Sequence, residues 1–226
     1  MDMDKKYDFT GETLTYGDIT LRRIVALRDF RDVEAGDKGG WIEKEENLSQ
    51  DGDAWVCDNA LVCDNAWVYD NALVCDDACV CGDARVYGDA RVCGNARVYD
   101  DARVHGDVQV YGNARVYGDA QVYGNARVYG NARVCGDAWV CGDAKIEKVS
   151  DYIVFKNFWS SGRYFTYTFS NRMWKVGCFY GTGEELIRKA YADSEDSGWH
   201  YEQAVRYAEA AERRRKKWDN GVEKAH

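Results

Sequence analysis

The hexad Asp83-Ala-Arg-Val-Tyr-Gly88, met again as Asn125-Ala-Arg-Val-Tyr-Gly130, decides the fold. From Asp53 to Lys148 the chain repeats Asp/Asn-Ala-x-Val-x-Gly/Asp sixteen times without insertion or deletion. Ala54, Ala60 and their successors lie two residues before Val56, Val62 and theirs, and strand alternation puts both on one face. The Val column runs from Val56 to Val140 and ends at Ile146; Val108 alone breaks the Ala column. A period of six with two inward positions per unit is the pattern of a parallel β-helix, each hexad supplying one strand and one corner. The Gly-Asp, Gly-Asn and Asp-Asn pairs between the apolar positions are the residues that most readily take positive φ at such corners.

One buried Val is worth about 1.5–3 kcal/mol, whereas ordering each residue costs about 1–2 kcal/mol of backbone entropy. A hexad alone therefore gains nothing, and stability has to come from stacking. A stack leaves an open strand edge at each end, which polymerises unless covered. The flanking segments are the expected covers.

Residues 1–41 read as a small N-terminal β cap, with strands in Asp18-Ile-Thr-Leu-Arg-Arg-Ile-Val-Ala-Leu27 and a turn at Ala35-Gly-Asp-Lys-Gly-Gly40. Residues 42–148 form the β-helix, with Ile42 and Leu48 on the Ala54 column when counted back by six. Residues 149–226 read as an α+β domain. Tyr152–Phe155, Arg163–Phe169 and Trp174–Phe179 are aromatic, β-branched runs that suggest a three-stranded meander. Thr182 with Glu185 makes a capping box that opens one helix, and a second spans about Gly198 to Trp218. The whole is mainly β.

The 226 residues carry a net charge of −9, distributed as −5 over residues 1–52, −6 over 53–148 and +2 over 149–226. The acidic balance disfavours a nucleic-acid partner. No charged n-region followed by an apolar run opens the chain, and no membrane-length apolar stretch occurs. Nine cysteines without such a leader indicate reduced thiols. The expectation is a cytoplasmic protein of a bacterial host, with no membrane partner and no cofactor.

Both x positions of each hexad point outward and stack on the residue 18 further on. In the first coils these positions hold Trp, Leu, Tyr and Cys, and from Arg85 onward Arg and Tyr, with Trp139 and Cys141 near the end. Arg97, Arg115 and Arg133 project onto one ladder beside Tyr99 and Tyr117. Arg85 and Arg103 project onto another beside Tyr87, His105 and Tyr123. Guanidinium planes among tyrosines suit an anionic or aromatic ligand, a nucleotide or an acidic protein segment. The plainer alternative is that the arginines pair with corner Asp83, Asp101 and Asp119 to make a solvated face. Arg213, Arg214 and Arg215, followed by Lys216 and Lys217, form a basic helix end that would speed encounter with an acidic partner. Cys63, Cys79 and Cys81 converge on one outer face, where thiolates with a fourth ligand would hold zinc; no CxxC pair supports that alternative. His200 lies near a helix start and His226 is terminal.

The unbroken Gly-Asp/Asn-Ala-Arg-Val-Tyr idiom, preceded by Gly39-Gly-Trp-Ile-Glu43 and Glu46-Asn-Leu-Ser49, resembles the hexapeptide-repeat family, including proteins of bacteria and their phages labelled acyltransferases on repeat content. The resemblance implies a left-handed parallel β-helix with three hexads per coil, hence about five coils here. Members that transfer acyl groups use a His as general base, with acyl-coenzyme A bound along the prism between subunits. On this chain that role would fall to His105, the sole histidine of the repeats, which replaces a Tyr in its column. The tail Gly177-Cys-Phe-Tyr-Gly-Thr-Gly-Glu-Glu-Leu186 is similar to an accessory domain of phage proteins. The reading that follows is a non-enzymatic binding protein of phage or mobile-element type, a rigid rod that engages a host protein or a nucleotide and inhibits a bacterial defence system. The alternative is an acyltransferase acting as a trimer, and a homo-oligomer is compatible with both.

Overall fold

The computed structural model describes residues 5–219 and falls into two compact units, Met1–Val149 and Ser150–His226. The N-terminal strands fall in the same unit as the repeats and extend one of their sheets.

The first unit is a β-solenoid of about six turns. Its sixteen repeat strands stack in parallel register at a spacing of 18 residues, as in Val92 against Val74 and Val110. Three sheets result. One runs from Trp55–Val56 to Lys145–Ile146 and another from Trp67–Val68 to Trp139–Val140. The third contains Leu61–Val62, Cys79–Val80, Arg97–Val98, Arg115–Val116 and Arg133–Val134 and continues into the N-terminal strands. The Ala and Val columns form the interior and are buried throughout. Each corner holds a residue at positive φ, Asp in five hexads, among them Asp64 (59°) and Asp76 (58°), and otherwise Gly. The corner Asp is not idle: Asp64, Asp70, Asp76 and Asp100 each accept the backbone N–H one coil on, for example Gly94 N to Asp76 Oδ2 at 2.8 Å.

About six turns, rather than five, arise because the segment before the regular repeats completes a first coil. Ile42 pairs with Val62 and Leu48 bridges Val68, both 20 residues on. This moves Ile42 and Leu48 from the Ala column, where counting by six puts them, to the Val column. The reason is a corner two residues longer between Leu48 and Val56, with Gly52 (φ 66°) packed against the carbonyl of Asp70. Gly39 and Gly40, read above as turn, lie instead in strand β3 (Lys38–Ile42). A β-carbon on Gly39 would meet Ile24 Cγ1 at 2.5 Å, and one on Gly40 would meet the Ala60 carbonyl at 2.7 Å, so only glycine lets this strand approach the coil beneath it.

Outward residues donate their N–H to the next coil, as in Trp55 N to Ala72 O and Cys57 N to Val74 O, both at 2.9 Å, so inward carbonyls such as that of Val74 face the preceding coil, which the first coil lacks. Side chains of the N-terminal segment serve them. Lys6, fully buried, points its ammonium at the carbonyls of Asp51, Gly52 and Ala54 at 3.4, 3.3 and 2.8 Å. The Tyr7 hydroxyl donates to Leu48 O at 2.7 Å, and Arg23 Nε donates to Gly39 O at 3.1 Å. Burial is the largest of the influences that bring the Lys6 ammonium down to about 8, followed by Arg28. Strands β1 (Tyr7–Tyr16) and β2 (Ile19–Ala26) extend the sheet antiparallel to β3. Trp55 is buried between Tyr7 and Phe30 at ring distances of 6.3 and 5.3 Å, the cover expected for the apolar first coils.

The second unit is a four-stranded antiparallel sheet packed on two helices, α1 (Gly183–Asp193) and α2 (Glu195–Asp219). The expected third strand divides at Gly177 (φ 53°) into Met173–Val176 and Phe179–Gly181, which pair as a hairpin. Thr182 caps α1 as its sequence indicates: its Oγ1 accepts the Glu185 N–H at 3.3 Å and the Glu185 carboxylate accepts the Thr182 N–H at 2.8 Å. The core joins Phe165, Tyr167 and Trp174 of the sheet to Leu186, Ala190, Val205 and Ala208 of the helices.

Candidate binding face

Parallel stacking in register carries every outward side chain onto its counterpart in the next coil. Arg97, Arg115 and Arg133 occupy successive rungs of one sheet. The rings of Tyr99 and Tyr117 stack beside them at 4.9 Å and 2°. On the adjoining sheet Arg85 and Arg103 are neighbours, flanked by Trp67 above and Gln121 below. Beside them runs a continuous pile of rings: Trp67 on Tyr69 at 4.0 Å, Tyr69 on Tyr87 at 4.7 Å, Tyr87 on His105 at 4.7 Å and His105 on Tyr123 at 5.2 Å. The third side carries Tyr111 on Tyr129 at 5.3 Å. Both predicted ladders are therefore present.

The alternative, pairing with corner acids, is not made by four of these arginines. Arg85, Arg97, Arg103 and Arg115 are exposed, and among the described residues none of them forms an ion pair. The acid before Arg85 is engaged elsewhere: Asp83 accepts the amide of Asn65 at 3.2 Å, as Asp77 and Asp89 accept those of Asn59 and Asn71. Polar ladders of Asn on Asp thus run along the corners, while Arg85, Arg97, Arg103 and Arg115 make no ion pair among the described residues.

His105 lies inside the ring pile, both faces covered. Burial, and then the Arg103 charge, lower its pKa and keep it neutral. Among the described residues no carboxylate hydrogen-bonds to either ring nitrogen, so the orienting partner of a general base is lacking. The Tyr117 phenol is held above its usual range first by a hydrogen bond with Cys135 and then by burial. His200 stacks on Trp159 at 4.5 Å and lies 3.8 Å from Asp196. His226 and the side chains of Lys216 and Lys217 fall outside the described residues.

The basic helix end is less free than its sequence indicates. Arg215 bonds the Asp151 carboxylate and the Ser150 carbonyl (2.9 Å) and lies over the Phe169 ring. Arg213 is 3.9 Å from Glu209. Of the three, Arg214 is the one without an ion pair among the described residues.

Cys63, Cys79 and Cys81 do converge. The Cys81 thiol contacts both others and is pushed up to about 11, first by the Cys63 thiol, with burial adding to it. Tyr16 of β1 reaches Cys79, and Cys63 is fully buried. A second group, Cys75, Asp76 and Cys93, escaped the sequence reading, although a Cys-Asp pair followed by Cys 18 residues after the first thiol marks it, as it marks Cys63, Asp64 and Cys81.

These coils and their outward rows define a fold class, a β-solenoid built of hexads. The family described as YdcK Beta solenoid repeat matches residues 90–106, 108–124, 120–136 and 126–142, all within the Arg–Tyr coils. A protein similar to part of the chain is the Uncharacterized acetyltransferase YdcK of Escherichia coli (strain K12), 48% identical over 44 residues. The match covers 20% of this chain and 14% of that protein's length. Among the described residues no helix is long and apolar enough to cross a membrane.

Proposed function

We propose that this chain is a non-enzymatic binding protein of phage or mobile-element type, acting in the cytoplasm of a bacterial host, whose rigid Arg–Tyr face engages an acidic surface of a host protein and blocks it. Inhibition of a defence system is the role that fits such a rod. The observation that carries the reading is the row of Arg97 and Arg115, exposed, adjacent and without ion pairs, beside the stacked rings of Tyr99 and Tyr117. Fixed side chains lose little entropy on binding, and Arg and Tyr are the usual anchors of interfaces. A nucleotide is the smaller ligand that the same chemistry accepts.

Acetyl transfer is the second reading, favoured by the partial likeness to YdcK. It would need His105 as base, in a position where rings cover both faces. Affinity capture from host lysate separates the two readings when wild type is compared with an Arg97→Ala/Arg115→Ala/Tyr117→Ala variant and calorimetry with acetyl-coenzyme A is run in parallel. The binding reading expects a protein partner lost by the triple variant, no heat with acetyl-coenzyme A, and full capture by His105→Ala. Micromolar binding of acetyl-coenzyme A that disappears in His105→Ala would overturn it.

A further inference from the structure

Six of the nine cysteines, Cys57, Cys63, Cys75, Cys79, Cys81 and Cys93, lie on the outside of the first three coils, at positions that later hexads fill mainly with Arg, Gln or Tyr. Cysteine beneath a covering strand acts as a small hydrophobe, and that accounts for Cys63 and Cys79, which are buried near Tyr16. It does not account for Cys75 and Cys93. These are half-buried, stand on adjacent rungs of the sheet that begins at Trp55–Val56, and bring their sulfurs within 4.8 Å of each other and of an Asp76 carboxylate oxygen.

The carboxylate is held in place. Asp76 sits at φ 58°, its Oδ2 accepts the Gly94 N–H at 2.8 Å, and its own N–H donates to Asp58 Oδ2 at 3.2 Å. A carboxylate fixed in this way by backbone donors resembles the supported ligands of metal centres. Two thiolates bound to one tetrahedral ion at about 2.3 Å lie about 3.8 Å apart, so the pair would need to close by no more than about 1 Å. Cys57 is two rungs from Cys93, about 10 Å along the stack, too far for both to share one ion. Its sulfur lies 3.7 Å from the Val74 carbonyl and contacts Cys75. Two soft thiolates with one hard carboxylate match a borderline ion; they exclude magnesium and calcium, which avoid sulfur, and suit zinc.

We propose that Cys75, Cys93 and Asp76 bind one zinc-class divalent ion on the outside of the second and third coils, with solvent completing the tetrahedron. Thiols ligate as thiolates, so binding would release protons as the ion takes their place.

The test uses the full chain, stripped of metal and kept reduced by a phosphine, with cobalt(II) alone and then zinc. A thiolate-to-cobalt charge-transfer band should grow to one equivalent, bleach on addition of zinc, and be absent from Cys75→Ala/Cys93→Ala. Asp76→Asn, which tolerates the same φ, should weaken cobalt binding about tenfold or more. Independently of any variant, zinc should slow alkylation of Cys75 and Cys93 in the wild-type chain at least about tenfold against exposed Cys178, a factor worth about 1.4 kcal/mol. Absence of the band, its persistence in the double variant, or an alkylation rate indifferent to zinc would each overturn the assignment.

Discussion

The first three coils and the coils that follow share one interior and differ in what they turn outward. In the first, Trp55, Cys63 and Cys79 are buried beneath or beside β1–β3, and Trp67, at 41% exposure, is the large residue left uncovered. In the later coils Arg97, Arg103 and Arg115 stand exposed on the same columns, over the same Ala and Val. Core and surface are therefore set by alternate residues of each strand. The inward pair sets the architecture and is indifferent to what the outward pair becomes. The outward pair determines whether a coil is covered or left as a surface.

The sharpest way to break this division is to exchange one residue across it. Val104→Asp places a carboxylate in the mid-stack interior with no donor within reach and should cost more than about 4 kcal/mol, enough to abolish the folded state. Arg103→Ala, one residue earlier and exposed, should change stability by less than about 0.5 kcal/mol. Equal denaturant midpoints for the two variants would refute the inward and outward assignment.

Corners give the next largest effect. A β-carbon on Gly88 (φ 69°) would lie 2.8 Å from the amide nitrogen of Gly106 in the coil beyond, whereas one on Gly136 (φ 61°) meets nothing within 4 Å. Gly136→Ala should cost about 1 kcal/mol from its backbone conformation alone. Gly88→Ala should cost about 2–3 kcal/mol, since two backbones must part. Thermal melts that rank the two the other way would show that the coils are not packed as described.

Lys6 sharpens the comparison at the covered end. Lys6→Met keeps most of the bulk but leaves three carbonyls without a donor, an expected loss of about 1–2 kcal/mol near neutral pH. Its pKa is lower folded, about 8, than unfolded, near 10.5, so between those values the unfolded chain binds more protons. Wild-type stability should therefore rise relative to Lys6→Met from about pH 8 to 10.5, the gain being lost as pH falls through 8. A flat difference across that range would show that the ammonium is not desolvated as the structure has it.

Much of the fold was legible because the repeat states it sixteen times. Ala60 and Val62 are interior for the same reason as Ala132 and Val134, and a pattern without gaps leaves no register to choose. The reading failed where the period failed. Two extra residues between Leu48 and Val56 shifted Ile42 by a column, and Gly39-Gly40 looks like a turn unless the close approach to Val56 and Ala60 is known. Gly177 divided a strand because a single glycine in an aromatic run does not show its φ. The arginine ladders followed from counting by 18. That Arg85 makes no ion pair did not, since it depends on Asn65 taking the Asp83 carboxylate. Nor could the sequence show that Arg215 would be drawn to Asp151, 64 residues away.

The proposal that matters most is that the Arg–Tyr face, and not the helix end, holds a partner. Surface-plasmon kinetics on the captured partner test it directly, comparing wild type, Arg97→Ala/Arg115→Ala/Tyr117→Ala, and charge reversal of Arg213, Arg214 and Arg215. The face variant should dissociate at least about tenfold faster, a loss of about 1.4 kcal/mol or more, and the helix variant should mainly associate more slowly. An unchanged dissociation rate for the face variant would contradict the account and leave those rows as scaffold.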